Sequence, residues 1–488
     1  MRKPLLGLML AALCSQAGAA TPQWRPGLHF TPRANWMNDP NGLVYHQGRY
    51  HLFYQYYPYA KVWGPMHWGH AVSTDLLRWE ELPVALAPDA KGMIFSGSAV
   101  VDTHNSAGLG KPGQTPLVAL YTQHDGALAE SNPGLHENQS LAYSLDGGAS
   151  WTKYAGNPVL KNPGIFDFRD PKVFWHAPSK RWVMALAAKD RIQFYHSANL
   201  KDWTLASEFG ADAGAHGGVW ECPDLIPLTV GGRTRWVLLV SINPGGLNGG
   251  SATQYFIGDF DGQRFTPDDG GTRWLDYGPD NYASVSWSNV PGRALVLGWM
   301  SNWDYGQQLP TDPWRSAMTL PRELRLQPVG QGLRLVSTPA RELARAEGKP
   351  RALGSGGSLA GLAGQFRLKL QAPRADSFRL VLSNAGGERL VIAYEAALQR
   401  YLIDRSAAGV RDFSDKFSGL ASAPRLAVGG ALDLDLVFDT TSVELFADGG
   451  LTAMTALFFP RQPYTEVALE GPSGTRLQIS PLRAGKPR

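Results

Sequence analysis

The chain has 488 residues, 43% hydrophobic and 18% charged, with a formal charge of +4. That length accommodates two or three domains of about 150 residues, and the balance is globular rather than disordered. The small charge without a Lys/Arg run argues against a dedicated nucleic-acid surface, and two cysteines rule out a disulfide framework or a Cys-rich metal site.

Arg2 and Lys3 precede an apolar stretch at residues 5–13, and small residues follow at 17–20, with Ala17-Gly18-Ala19 fitting a small-x-small cleavage site. This order of basic, apolar and small residues makes residues 1–20 a signal peptide and the protein secreted or periplasmic. Its removal takes Cys14 away and leaves Cys222 as the one thiol. No other stretch reaches the roughly 18 apolar residues that span a bilayer, so no membrane partner is expected.

Aromatic residues make up 11% of the chain, and its 16 Trp all fall between Trp24 and Trp314. This break in composition divides residues 21–337 from a C-terminal unit at 358–488. The linker at 338–357 reads as a short helix and a Gly/Ser-rich join. In the C-terminal unit, "FRLVLSNAGGERLVIAY" and "LDLDLVFDTTSVELFADGG" alternate apolar and polar residues between turn signals, the period of half-buried antiparallel strands in a β-sandwich.

The first unit repeats weakly. "STDLLRW", "SLDGGASW" and "SANLKDW" are turn signatures, and "DPNGLVYHQGRYHLFY", "DPKVFWHAPSKRWVMAL" and "CPDLIPLTVGGRTRWVLLV" each run from an acidic turn into paired strands. Taking Asp39, Ser98, Asp170, Glu221 and Ala283 as equivalent positions divides the unit into five repeats of several short strands. The chain is therefore expected to be all-β, a five-bladed β-propeller followed by a β-sandwich.

In a propeller, equivalent strand ends converge on one mouth of the central channel, so Asp39, Asp170 and Glu221 face one pocket. Pro40 and Pro171 hold the preceding aspartates out of helical geometry. Arg169 lies beside Asp170, and Trp220, Cys222 and Pro223 enclose Glu221 in an apolar setting that suits a general acid. One carboxylate to attack and one acid to protonate the leaving oxygen are what cleavage of a sugar acetal requires, and Trp faces stack on sugar rings.

At these residues the chain resembles glycoside hydrolase family 32, the β-fructofuranosidases that include invertases, exo-inulinases and levanases. The matching motifs are WMNDPNG (36–42), FYQY (53–56), WGPMHWGHA (63–71), FSGS (95–98), FRDP (168–171), WECPDL (220–225), GWMSNW (298–303) and, in the sandwich, SVELFADGG (442–450). The resemblance implies Asp39 as nucleophile, Glu221 as general acid and then base, and Asp170 as transition-state stabiliser. It further implies Trp36, Asn38, Gln55, Trp63, Phe95, Ser96, Arg169 and Trp303 as sugar-binding residues. A retaining mechanism follows, with the two reacting carboxyls about 5–5.5 Å apart.

The expected activity is that of an exported exo-acting fructan β-fructosidase acting on levan or inulin and on sucrose, without cofactor or metal. An invertase or endo-levanase of the same family, a non-catalytic fructan-binding propeller, and an inverting arabinan-cleaving propeller stay open as alternatives. His67 and His70 read as structural hydrogen-bonders and Cys222 as a small apolar thiol. "GLGKPGQT" (108–115) lacks the ending of a phosphate-binding loop. The sandwich, which has no Trp, reads as a brace, and the oligomeric state is left open.

Overall fold

Short apolar runs punctuated by Gly, Asp and Ser turns make strands that pair with their sequence neighbours, and five such sheets fill the first unit. The computed structural model describes residues 22–362 and 364–483; the predicted signal peptide lies outside the described residues. The innermost strands of the five sheets are Asn35–His46, Met93–Val101, Phe168–His176, Val219–Val230 and Tyr282–Ser286. Each packs against the next and the last packs against the first, which closes a five-bladed propeller. We number the blades I to V by these strands. Trp314–Arg315 pairs parallel with the start of blade I, and Tyr45 N–H donates to Ser288 O at 3.0 Å, so chain from both ends of the unit seals the ring.

Every inner strand slips register against its neighbour at the same level. The slips fall between Met37 and Pro40, Ile94 and Gly97, Arg169 and Lys172, Glu221 and Asp224, and Tyr282 and Val285. Such a β-bulge bends its strand and re-aims the side chains around it. Left-handed backbone at Asp170 (φ 67°), Cys222 (φ 46°) and Ala283 (φ 52°) belongs to these bulges. The expected equivalences need correcting on this point. The bulges align Asn38, Phe95, Asp170, Cys222 and Ala283, so Asp39 stands one residue late, Glu221 one early and Ser98 three late. Counting from turns misses the residue that each bulge inserts.

The C-terminal unit is two six-stranded sheets face to face. Alternation is visible in Phe366–Ala372, where every second residue is buried. Leu368, Leu370, Leu380, Ile392, Leu434 and Leu436 meet in its core. Strand pairing narrows the expected join: Gly332–Pro339 still belongs to blade V, Arg341–Ala346 is a 3-10 helix, and Arg351–Gly354 already pairs with the sandwich.

The two units meet over buried charges. His29 Nδ1 lies 2.8 Å from Asp439 and its Nε2 2.8 Å from Glu444. Arg322 pairs with Glu444 and, at 2.8 Å, with Asp276, which also accepts from Thr455 N–H at 2.9 Å. Burial alone would depress the His29 pKa, but its two carboxylate partners hold it up at about 9.

Candidate active site

Asp39 sits in the bulge of blade I, which the Asn38-Asp39-Pro40-Asn41-Gly42 sequence shapes. Gly42 has φ 55°, and a Cβ there would lie 2.6 Å from the Phe53 ring, so both backbone and space require glycine. The Asp39 carboxylate is buried. Its Oδ2 accepts from Ser96 Oγ at 2.7 Å across the I–II boundary, while its Oδ1 has no hydrogen-bond partner among the described residues. Burial, and secondarily the Glu221 charge, raise its pKa; bonds from Ser96, Asn38 and Cys222 oppose the rise.

Asp170 holds the equivalent bulge in blade III. Its N–H donates to Thr122 Oγ1 at 3.0 Å, and its Oδ2 accepts from Cys222 N–H at 2.9 Å. Burial pushes its pKa up to about 8, with Glu221 and Asp39 adding to the rise and Arg169 opposing it.

Glu221, just before the blade IV bulge, is tied at both oxygens. Arg169 Nη2 and Nε donate to Oε1 at 3.0 and 3.2 Å, and the Tyr282 hydroxyl donates to Oε2. Arg169, Glu221 and Tyr282 are the residues that precede the bulges of blades III, IV and V. Neighbouring blades thus present equivalent positions to one another, which explains why these side chains form one chain of contacts. Arg169 is itself anchored by Asp167 at 2.6 Å and Glu137 at 3.2 Å.

The aromatic residues gather above this floor. Trp36 is fully buried, and its indole N–H donates to Asn38 Oδ1 at 2.8 Å. It stacks on Trp303 at 5.9 Å between centroids, and Trp299 closes the group at 4.9 Å from Trp303. Trp36, Cys222, Tyr282 and Trp299 form one apolar cluster against which Phe95 and Trp303 pack. Trp63 stands at the rim, 37% exposed, edge-on to Phe95 at 6.2 Å. Gln55 lies deeper, its amide donating to Asn41 Oδ1 at 2.7 Å and Ile94 O at 3.0 Å.

Three residues at this site were not read as functional from the sequence. Cys222 bridges two acids: its Sγ lies 3.5 Å from Oδ2 of both Asp39 and Asp170. Burial and the surrounding carboxylates raise its pKa well above the usual thiol range, so it stays a neutral thiol. Tyr282 adjoins Ala283, a position the repeat already marked. Glu137 is buried and accepts from Phe168 N–H at 2.7 Å; no sequence motif announces it.

His124, His136 and Glu137 bring ligand-type atoms within 4.8 Å of one another. Glu137, however, is already engaged by Arg169 and Phe168, and the guanidinium would repel a cation. His67 Nδ1 lies 2.9 Å from Pro65 O, and His70 Nε2 lies 3.0 Å from His51 Nδ1, both in structural roles.

The model for the "Glycosyl hydrolases family 32 N-terminal domain" matches residues 29–339, and that for "Glycosyl hydrolases family 32 C terminal" matches 337–483. The chain belongs to glycosyl hydrolase family 32. It is a glycoside hydrolase. Within the family it is 46% identical to the levanase of Bacillus subtilis (strain 168) over 98% of this chain and 73% of that one. It is 41% identical to the extracellular exo-inulinase of Aspergillus awamori over 93% and 92% of the two chains. The crystal structure of that exo-inulinase superposes with TM-score 0.87 at 38% identity, covering 95% of this chain and 98% of that one. The β-fructofuranosidase of Schwanniomyces occidentalis complexed with fructosyl-erythritol superposes with TM-score 0.85 at 33% identity, covering 94% and 98%.

Proposed function

We propose that the protein is an exported β-fructosidase that removes terminal fructose from levan and inulin, and also cleaves sucrose, with retention of configuration. Asp39 Oδ1 attacks the anomeric carbon of the terminal fructosyl unit while Glu221 protonates the departing glycosidic oxygen. The resulting fructosyl–Asp39 ester is then cleaved by water, whose proton passes to the Glu221 carboxylate, and the Asp39 carboxylate is regenerated. Asp170 and Arg169 hold fructosyl hydroxyls, and Trp36, Asn38, Gln55, Ser96, Phe95, Trp63 and Trp303 shape the pocket around the ring.

The observation that carries this reading is the joining of acids from blades I, III and IV: Cys222 links Asp39 to Asp170, and Arg169 reaches Glu221. The unpartnered buried Oδ1 of Asp39 supports its part as the attacking atom. The relatives' names supply the substrate class. Export is supported by the pattern at residues 1–20 and by the name of the extracellular exo-inulinase relative; among the described residues no helix is long and apolar enough to cross a membrane.

Separate incubation with levan, inulin and sucrose tests the reading, with initial products resolved by chromatography and the first-formed anomer by NMR. Free fructose of retained configuration is the expected product. Oligofructans as first products would overturn exo action, and inverted fructose would overturn the assignment of Asp39.

A further inference from the structure

A terminal fructosyl unit fills the pocket, so the rest of a fructan chain must leave over the rim, and that rim is unevenly built. From blade I to the entry of blade III, aromatic rings follow one another at close steps. Trp63 meets Phe95 at 6.2 Å, Phe95 stacks on His124 at 4.4 Å and 20°, His124 meets His136 at 5.0 Å, and His136 meets Phe166 at 5.2 Å. The last ring is the conspicuous one: Phe166 is 55% exposed, three residues before Arg169.

Phe166 is held rather than loose. Asn162 Oδ1 accepts from Ile165 N–H at 2.8 Å and Gly164 N–H at 3.0 Å, while its Nδ2 donates to Ile165 O at 2.9 Å. This fixes the loop that presents the ring, and His136, nearly fully buried, backs it. Single exposed apolar residues on a surface are ordinary, but a continuous file that begins at the pocket wall and ends in a braced, exposed phenyl ring is not. The file also adjoins the acid side of the site: Glu137, sandwiched between His124 and His136, pairs with Arg169, which pairs with Glu221. The leaving part of the substrate departs beside that acid.

We propose that the outer end of this file binds the leaving portion of a fructan chain, and that Phe166, backed by the buried His136, contacts a fructosyl unit beyond the first leaving one. The inference rests on the β-fructosidase reading above. Flat aromatic faces take the C–H face of a sugar ring, while its hydroxyl edges stay in water. A track outside the pocket therefore adds affinity for polymer and none for a disaccharide.

The test compares kcat/KM on sucrose and on long-chain inulin and levan for the wild type, Phe166→Ala and Phe166→Tyr. Loss of one aromatic contact predicts a fall of about two- to tenfold on polymer for Phe166→Ala. Sucrose should stay within about twofold, and Phe166→Tyr should be restored on polymer. Equal effects on sucrose and polymer, or none on either, would overturn the track while leaving the parent reading intact. If the wild type releases no fructose from any of these substrates, the parent reading itself fails. Should Phe166→Ala not fold, Phe166→Tyr, Phe166→Leu and the wild type carry the comparison. A polymer-to-sucrose ratio that does not fall in Phe166→Leu relative to the two aromatic forms counts against the track.

Discussion

Replacing Ser96 with Ala removes a short hydrogen bond to Asp39, from Oγ to Oδ2 at 2.7 Å. The Cys222 thiol at 3.5 Å is too distant and too weak a donor to replace it. A hydrogen bond to a charged group contributes about 1.5–3 kcal/mol. The hydroxyl also bonds to the neutral acid, so roughly half of that distinguishes the ionised form, which corresponds to about one pH unit. The bond opposes the burial that raises the Asp39 pKa, so its loss lets the pKa climb further. The attacking carboxylate must be ionised. The acidic limb of kcat/KM for sucrose should therefore move up by about one unit, with about a tenfold loss below it and convergence with the wild type above it. Because the neighbouring Glu221 carboxylate acts on Asp39, the informative quantity is the difference between the two enzymes' profiles, not either midpoint alone. The assay is fructose release at low sucrose from pH 3 to 8. A uniform loss at every pH, or a downward shift of the limb, would refute the reasoning, the first by placing the effect of Ser96 on the substrate.

The raised pKa of Asp170 makes its own stability prediction: its favourable contribution is full below 3.8 and lost as pH rises through about 8. Asp170→Asn should lose activity because the amide cannot hold the fructosyl hydroxyls as the carboxyl group does, yet its melting temperature relative to wild type should grow between pH 4 and 8 and then level off, as thermal scans can check. Tyr282→Phe frees one oxygen of Glu221, so kcat for sucrose should fall about tenfold or more with little change in KM. Between the two units, Glu444→Gln leaves His29 and Arg322 short of a charge and should cost about 3–5 kcal/mol in denaturant unfolding. The stabilisation from His29 is full below 6.5 and lost as pH rises through about 9, so the wild-type melting temperature should decline over that interval and that of the His29→Gln variant should decline less.

The architecture was legible because two periods are written plainly: alternation with period two in the sandwich, and repeated turn-strand units in the first half. The level of the repeat was less legible. The bulges insert a residue near Asp39, Asp170 and Cys222, and a shift of one position decides whether a residue faces the pocket or its neighbour blade. Counting from the turns therefore pairs Glu221 with Asp170, whereas Glu221 aligns with Arg169 and Tyr282, the residues it bonds to. The acids themselves stood out through their neighbours, Pro40, Pro171, Arg169 and Trp220. Cys222 did not, because its part depends on a backbone N–H and on two carboxylates 183 and 52 residues away in sequence. Glu137 is invisible for a similar reason: its partner is Arg169, brought close only when blade II packs on blade III.

In the proposed mechanism Asp39 carries the fructosyl group between the two halves of the reaction. Peptide mapping by mass spectrometry tests it, on Glu221→Gln enzyme quenched in acid during turnover of a fructoside with a good leaving group, which needs no acid for the first step. One anhydrofructose unit is expected on the peptide containing Asp39, and none in Asp39→Asn. An adduct on another side chain, or turnover with inverted fructose and no adduct in either protein, would contradict it.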